Sequence, residues 1–280
     1  MTATPRPATF EVTILGCGSS GGVPRADGNW GVCDPADPRN RRSRCSMMIR
    51  RPSAEEPDRW TTVVVDASPE FRLQTADAGA KRLDALLLTH DHADQSHGLD
   101  DIRAFAMRQR ARIPVRVDRA TAETMERRFG YIFHGEKGYP AIADLVPIPS
   151  HGARWRIDGP SGSIPVVTFD QDHGEIRSVG YRFGPVAYSP DVLQLDDAAF
   201  EALAGVELWI VDALRYAPHP THAHVERTLG WIERLRPRRA ILTNMHIDLD
   251  FAELSAKVPP GVDLAVDGMV VELDAEDDNT

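Results

Sequence analysis

Short aliphatic runs alternate with polar, turn-rich stretches along most of this chain, and the pattern predicts a mixed α/β protein. Phe10–Leu15 alternates as a first strand, and Ser46–Arg50 and Thr62–Asp66 follow with a Pro/Glu-rich turn between them. Ser68 and Pro69 open a helix predicted to reach Asp77, with the serine as cap and the proline at the first position. Leu86–Leu88 is a run of large aliphatics typical of a buried strand. Helices are expected over Leu99–Arg110 and Thr121–Phe129, a loop with His134 over Gly130–Pro140, and strands over Pro114–Val117 and Leu145–Ile148. The second half repeats this grammar. Ile164–Phe169 is a strand leading towards His173, and Val179–Phe183 and Val186–Tyr188 form a hairpin around Gly184-Pro185. Asp196–Leu203 is a helix, Leu208–Asp212 a buried strand, His222–Leu235 a helix capped by Thr221, and Ala240–Thr243 the last core strand. Two β-rich halves, each closed by helices, fit one α/β domain over residues 10–273, a four-layer sandwich with sheets inside and helices outside. Residues 1–9 and 274–280 are expected to be tails.

The polar residues at the strand exits carry the chemistry. Thr89 is followed by His90, Asp91, His92, Ala93, Asp94, Gln95 and His97. If the backbone stays extended past the strand, alternate side chains share a face, which sets His90, His92 and Asp94 together. Neutral imidazole and carboxylate are the ligands a borderline divalent metal takes from protein. Asp66, His173, Asp191 and Asp212 also stand at strand ends. The Gly/Ser-rich segment Gly16–Pro24 exposes amides that an anion could use, although a turn between strands is the commoner use. Arg39, Arg41, Arg42 and Arg44 read as a solvated basic loop.

Composition narrows the classes. The chain has 280 residues, 42% hydrophobic and 26% charged, ordinary for a soluble globular protein. No apolar run approaches the roughly 18 residues that span a bilayer. The first residues lack the apolar core of a secretion signal, so a cytoplasmic location without a membrane partner is expected. Three widely spaced cysteines, Cys17, Cys33 and Cys45, suit a reducing compartment. A formal charge of −10 opposes long nucleic acid, whereas a small phosphorylated substrate remains compatible because a bound metal supplies positive charge locally.

The segment THDHAD at 89–94 resembles the T-H-x-H-x-D-H signature of metallo-β-lactamase-fold hydrolases. The opening LGCGSSGGVP and RRSRCS and the close THAHVERTL, ILTNMHIDLDF and DGMVVEL are similar to the PhnP-type branch of cyclic-phosphate phosphodiesterases. The resemblance implies an αββα sandwich holding one or two divalent ions, zinc or manganese, that act on a small cyclic or nucleotide-like phosphodiester through a metal-bound hydroxide. By the same resemblance His90, His92 and His173 hold the first ion, Asp94 and His246 the second, and Asp191 bridges them. Asp94 and Asp191 are thereby placed in the reaction centre. Asp66 lies beneath, hydrogen-bonding the ligand imidazoles. His222, opening its helix, matches the general acid of the branch, and His224 is a supporting neighbour. His134, His151 and His219 are left as ordinary surface or loop histidines.

Two departures from the pattern stand out. Gln95 replaces the signature's last histidine, so the second ion is expected to be loosely held, to prefer a harder metal such as manganese, or to borrow His97. Asn244 takes the slot where the branch often has histidine, with His246 two positions on, and either residue can face the metal. An asymmetric or mostly single-metal site follows. Alternatives to the phosphodiesterase reading are a ribonuclease Z-like RNA-processing enzyme and a non-catalytic accessory protein similar to the pyrroloquinoline quinone B protein, the latter suggested by Asp66–Arg72. A homodimer is compatible with either.

Overall fold

The structure is a computed structural model that describes residues 9–274 apart from 54 and 57. Its first sheet is built from β1 (Thr9–Gly16), β2 (Ser46–Pro52), β3 (Trp60–Val65), β4 (Ala85–Leu87), β5 (Ile113–Val117) and β6 (Ala143–Pro147). The second comprises β7 (Arg154–Ile157), β8 (Ile164–His173), β9 (Ile176–Phe183), β10 (Val186–Ser189), β11 (Leu208–Asp212), β12 (Arg239–Thr243) and β13 (Val262–Leu264). A last strand, β14 (Met269–Asp274), returns to pair with β1, so each sheet has seven strands among the described residues.

Alternation along the strands explains the layering. Met47, Ile49, Val63, Val65 and Leu87 turn to an apolar cluster shared with Phe169, Tyr181 and Phe183 of the second sheet. Their neighbours Met48, Val64, Leu86 and Leu88 turn the other way, onto Phe71, Phe105, Met125 and Ile132. Those four side chains and their neighbours belong to α1 (Phe71–Asp77), α3 (Arg103–Gln109) and α4 (Arg119–His134), which follow the single turn α2 (Ala93–Ser96) or flank it. Beyond the second sheet, α5 (Asp197–Leu203) and α6 (Val225–Leu235) close the sandwich, and α7 (Phe251–Ser255) follows β12. A strand buried on both faces can be continuously apolar, and β4 is. Among the described residues no helix is long and apolar enough to cross a membrane.

Several boundaries differ from the sequence expectation. The helix expected over Thr121–Phe129 starts at Arg119, capped by Asp118, and runs through a break at Phe129 to His134, so half of the expected loop is helical. The Leu99–Arg110 helix divides into a 3-10 turn at Leu99–Ile102 and α3. The first helix begins at Phe71 rather than Pro69, because Ser68 Oγ accepts from Glu70 N (3.2 Å) and shapes the turn before it. The last helix of the site region begins at Val225, so Thr221 and His222 lie in the loop ahead of it. Strands β7, β13 and β14 were not expected; they are short or lie after the last strand expected. The tails read at 1–9 and 274–280 lie outside the described residues except Thr9 and Asp274, which pair in β1 and β14.

The Gly16–Pro24 segment has a packing reason for its glycines. A Cβ on Gly16 would lie 2.1 Å from the Arg44 carbonyl oxygen. The basic loop is not solvated throughout. Arg42 is buried and donates from Nη2 to Leu249 O (2.7 Å) and from Nη1 to His246 O (3.2 Å), strapping the opening segment to the loop after β12. Arg44 pairs with Glu70 (2.5 Å), and Arg41 lies over Trp30.

Candidate metal centre

The parallel strands β3 to β5 and β10 to β13 point their C-terminal ends to one edge of the sandwich, the usual position for a ligand crevice in such sheets. β4 ends at Leu87, and Leu88 and a bend at Thr89 lead to His90. The chain then turns into α2 at Ala93, with His92 at its N-cap, so Asp94 sits on a helical turn and not on a continued strand. His173 is the last residue of β8, where the β8–β9 hairpin begins. Asp191 follows β10, and Asp212 ends β11. Asp66 and Asn244 follow β3 and β12 in left-handed backbone, at φ 65° and 60°, a conformation that Asp and Asn adopt at low cost. Gly98 seats the loop after β3 against α2. A Cβ there would lie 2.0 Å from Ser68 O, and Gly98 N donates to Ala67 O (2.8 Å).

One potential ligand atom from each of His90, His92 and His173 lies within 4.8 Å of the others, and the same holds for His173, Asp191 and His222. Two of the three imidazoles in the first group are oriented by their other nitrogen. His173 Nδ1 donates to Thr221 O (2.8 Å). Thr89 donates its hydroxyl to Asp66 (3.0 Å) and so accepts from His90 Nδ1 (2.9 Å). His90 Nε2 is left buried with no hydrogen-bond partner among the described residues. Burial, with His173 and His92 nearby, holds the His90 pKa well below its usual value; burial and His222 bring His173 to about 4. Both imidazoles are therefore neutral at pH 7, the form that binds a metal. A buried, unpartnered imidazole nitrogen facing two more imidazoles fits a divalent ion.

Asp66 touches Thr89 by side chain and backbone rather than any imidazole, so it fixes His90 through the threonine. His222 donates from Nδ1 to Asp212 (2.8 Å). Burial pulls the His222 pKa down, but Asp212, with Asp191 and Asp94 beyond, outweighs burial and lifts it to about 9. Burial pushes Asp66, Asp191 and Asp212 above the usual carboxylate range. Gln95 is fully buried and its Nε2 lies 3.2 Å from Asp191 Oδ2 and 3.3 Å from Asp94 Oδ2. Asn244, not His246, faces the cluster, with Nδ2 3.4 Å from Asp191 Oδ1 and 3.2 Å from His222 Nδ1. His246 instead lies with Nδ1 2.9 Å from an Asp248 oxygen and meets Arg25, outside both ligand groups. Asp94 is likewise outside those groups. His97 is exposed and sets its ring against Phe129 (5.8 Å), so it is not brought in as a substitute ligand. His224 is the N-cap residue of α6 and makes no side-chain cap bond.

Sequence reasoning gave no role to Thr89, Asp212 or His219. The His219 ring stands 5.2 Å from that of His222. Asp212 had a signal, a carboxylate ending a buried strand, but nothing in the sequence pairs it with His222. Cys17, Cys33 and Cys45 are all buried, and burial raises each thiol pKa.

The His222–Asp212 pair has a readable pH dependence in metal-free protein. The folded form keeps the His222 proton up to about 9, while an unfolded histidine releases it near 6.5. Its stabilising contribution is thus fully present below 6.5 and is lost as pH rises through 9. Chelator-treated wild type minus His222→Asn, measured by urea unfolding, should show a stability difference that declines between those pH values by no more than about 1.4 kcal/mol per unit. A difference independent of pH would contradict the raised pKa.

A family profile described as Beta-lactamase superfamily domain matches residues 61–247. Among solved structures, a diphosphatase described as belonging to the PhnP family is 31% identical, with a TM-score of 0.82 over 95% of this chain and 97% of that one. The zinc-bound PqqB protein of Methylobacterium extorquens superposes with a TM-score of 0.73 at 17% identity, over 94% of this chain and 100% of that one. A curated octanoyltransferase of Porphyromonas gingivalis (strain ATCC BAA-308 / W83) is 27% identical over 93% of this chain, which spans about half (51%) of that protein's length.

Proposed function

Because this chain belongs to the beta-lactamase superfamily, whose domain profile covers most of it, we propose that it is a metal-dependent phosphodiesterase acting on a small cyclic or nucleotide-like phosphodiester, with the phosphoanhydride of a dinucleoside diphosphate as a further candidate. The observation that carries the reading is the bare, buried His90 Nε2 set against His92 and His173. Those three side chains, with Asp191 beside them, would hold a zinc or manganese ion. Such an ion supplies Lewis acidity to a phosphoryl oxygen and brings the pKa of water from about 15.7 towards 7.

The chain's own groups supply the rest. Asp66 and Thr89 hold the His90 ring with its Nε2 turned inwards, and Thr221 O does the same for His173. Asp212 occupies His222 Nδ1, so the proton available for transfer is the one on Nε2. With Asp212 holding its other nitrogen, that imidazole is placed to donate a proton to a departing alkoxide or phosphate oxygen. The diphosphatase relative, at 31% identity, supports phosphorus chemistry at this site.

The other readings have less support. Likeness to PqqB rests on the fold alone. A ribonuclease reading conflicts with the charge of −10, which would repel RNA at long range. Octanoyl transfer through a cysteine needs an accessible thiolate, and all three thiols here are buried.

The test is a substrate panel. Purified protein loaded with zinc or manganese is assayed on bis(p-nitrophenyl) phosphate, 2′,3′-cyclic nucleotides and dinucleoside diphosphates. Cleavage of at least one class is expected, and failure on all of them with both metals would refute the reading.

A further inference from the structure

The two departures from the histidine pattern meet in space. Gln95 and Asn244 are buried residues whose amide nitrogens approach opposite oxygens of the same carboxylate, Asp191: Gln95 at Oδ2 (3.2 Å) and Asn244 at Oδ1 (3.4 Å). Gln95 reaches Asp94 as well (3.3 Å). The amide directions are fixed by what they face. Asn244 Nδ2 donates to Pro190 O (2.7 Å), and a carbonyl only accepts, so the side chain cannot present its oxygen there. Gln95 turns its NH2 towards Asp94 and Asp191, its Nε2 lying within hydrogen-bond distance of an oxygen of each. Gln95 Oε1 and Asn244 Oδ1 are consequently buried with no donor.

Two imidazoles stand on that side: His222, which shares a possible ligand group with His173 and Asp191, has its Nδ1 taken by Asp212 (2.8 Å), and His246 is held away. The His246 Nδ1 lies 2.9 Å from an Asp248 oxygen outside hydrogen-bond geometry, its ring meets the Arg25 guanidinium, and buried Arg42 holds its carbonyl.

We infer that the second cation position is closed in this chain, and that the Gln95 and Asn244 carboxamides stand in for the missing ion by donating hydrogen bonds to Asp94 and Asp191. Each amide N–H carries a partial positive charge to an oxygen that a second dication would otherwise share. Arg25 adds a full positive charge at His246, the position a second ion would need as a ligand. The centre is therefore mononuclear, built on His90, His92 and His173, with Asp191 oriented by amides. Gln95 and Asn244 are positioning residues.

The inference rests on the metal-centre reading above, and metal stoichiometry separates the two. Wild-type protein and the double variant Gln95→His/Asn244→His are equilibrated with zinc, dialysed against metal-free buffer and analysed for zinc per chain, with circular dichroism to confirm folding. One ion in wild type and two in the variant is the expected result. Two ions in wild type, or one in a folded variant, overturns the closed second position. No ion in wild type refutes the metal centre itself and this inference with it. The wild-type count decides the matter even if the variant does not fold.

Discussion

Replacing His92 by alanine is expected to abolish tight metal binding and to lower phosphodiester turnover by a thousandfold or more, while leaving the metal-free fold intact. His92 is exposed, and it caps α2 with its backbone and not its ring. Surface substitutions of this kind usually shift stability by about 0.5 kcal/mol or less. The ion it helps to hold, by contrast, is expected to provide several kcal/mol of charge stabilisation in the transition state, and each 1.36 kcal/mol is worth about tenfold in rate. The measurements are zinc per chain, kcat/KM on the best substrate of the panel, and urea unfolding of chelated protein. Turnover retained at wild-type level by a folded, zinc-free His92→Ala variant would sink the metal-dependent mechanism. His90→Ala is a poorer probe, since His90 is buried and its loss would strand the Thr89–Asp66 pair in the interior.

His222→Ala should separate substrates by their leaving groups. With a poor leaving group such as a ribose hydroxyl, loss of the proton donor is expected to cost about a hundred- to ten-thousandfold in kcat. With p-nitrophenolate, which departs without a proton, the loss should be within about tenfold. Asp212→Asn keeps the ring but removes the carboxylate that raises its pKa, so the basic limb of the pH–rate profile should move towards acid. Equal losses on both substrate types would remove His222 from the acid role.

The sandwich was legible because its strands are short, strongly apolar and separated by turn residues. Leu86–Leu88 declares a buried strand, and the β9–β10 hairpin announces itself through Gly184-Pro185. What failed was local. An extended path from His90 to Asp94 ignores the helical turn that starts at Ala93, although His92 itself is extended and its ring still meets that of His90. Thr221 reads as a helix cap in the sequence and so draws His222 into the helix, yet α6 starts three residues later. The choice between Asn244 and His246 could not be read at all. It depends on a left-handed residue directly after β12, and on Arg42, some two hundred positions earlier, gripping the His246 carbonyl. Arg42 itself resembled a surface charge, since no one-dimensional pattern marks a guanidinium that will find carbonyl acceptors in the interior.

The twist of the main chain at position 244 narrows what can ever stand there. With φ at 60°, valine, isoleucine and threonine are strained, and the residues that tolerate it best are glycine, asparagine, aspartate and histidine. The last three are also side chains that can donate to a carboxylate or ligate a cation. Shape and chemistry thus filter for nearly the same few amino acids. A single-codon exchange among them could change how many ions the centre holds without disturbing the path of the backbone.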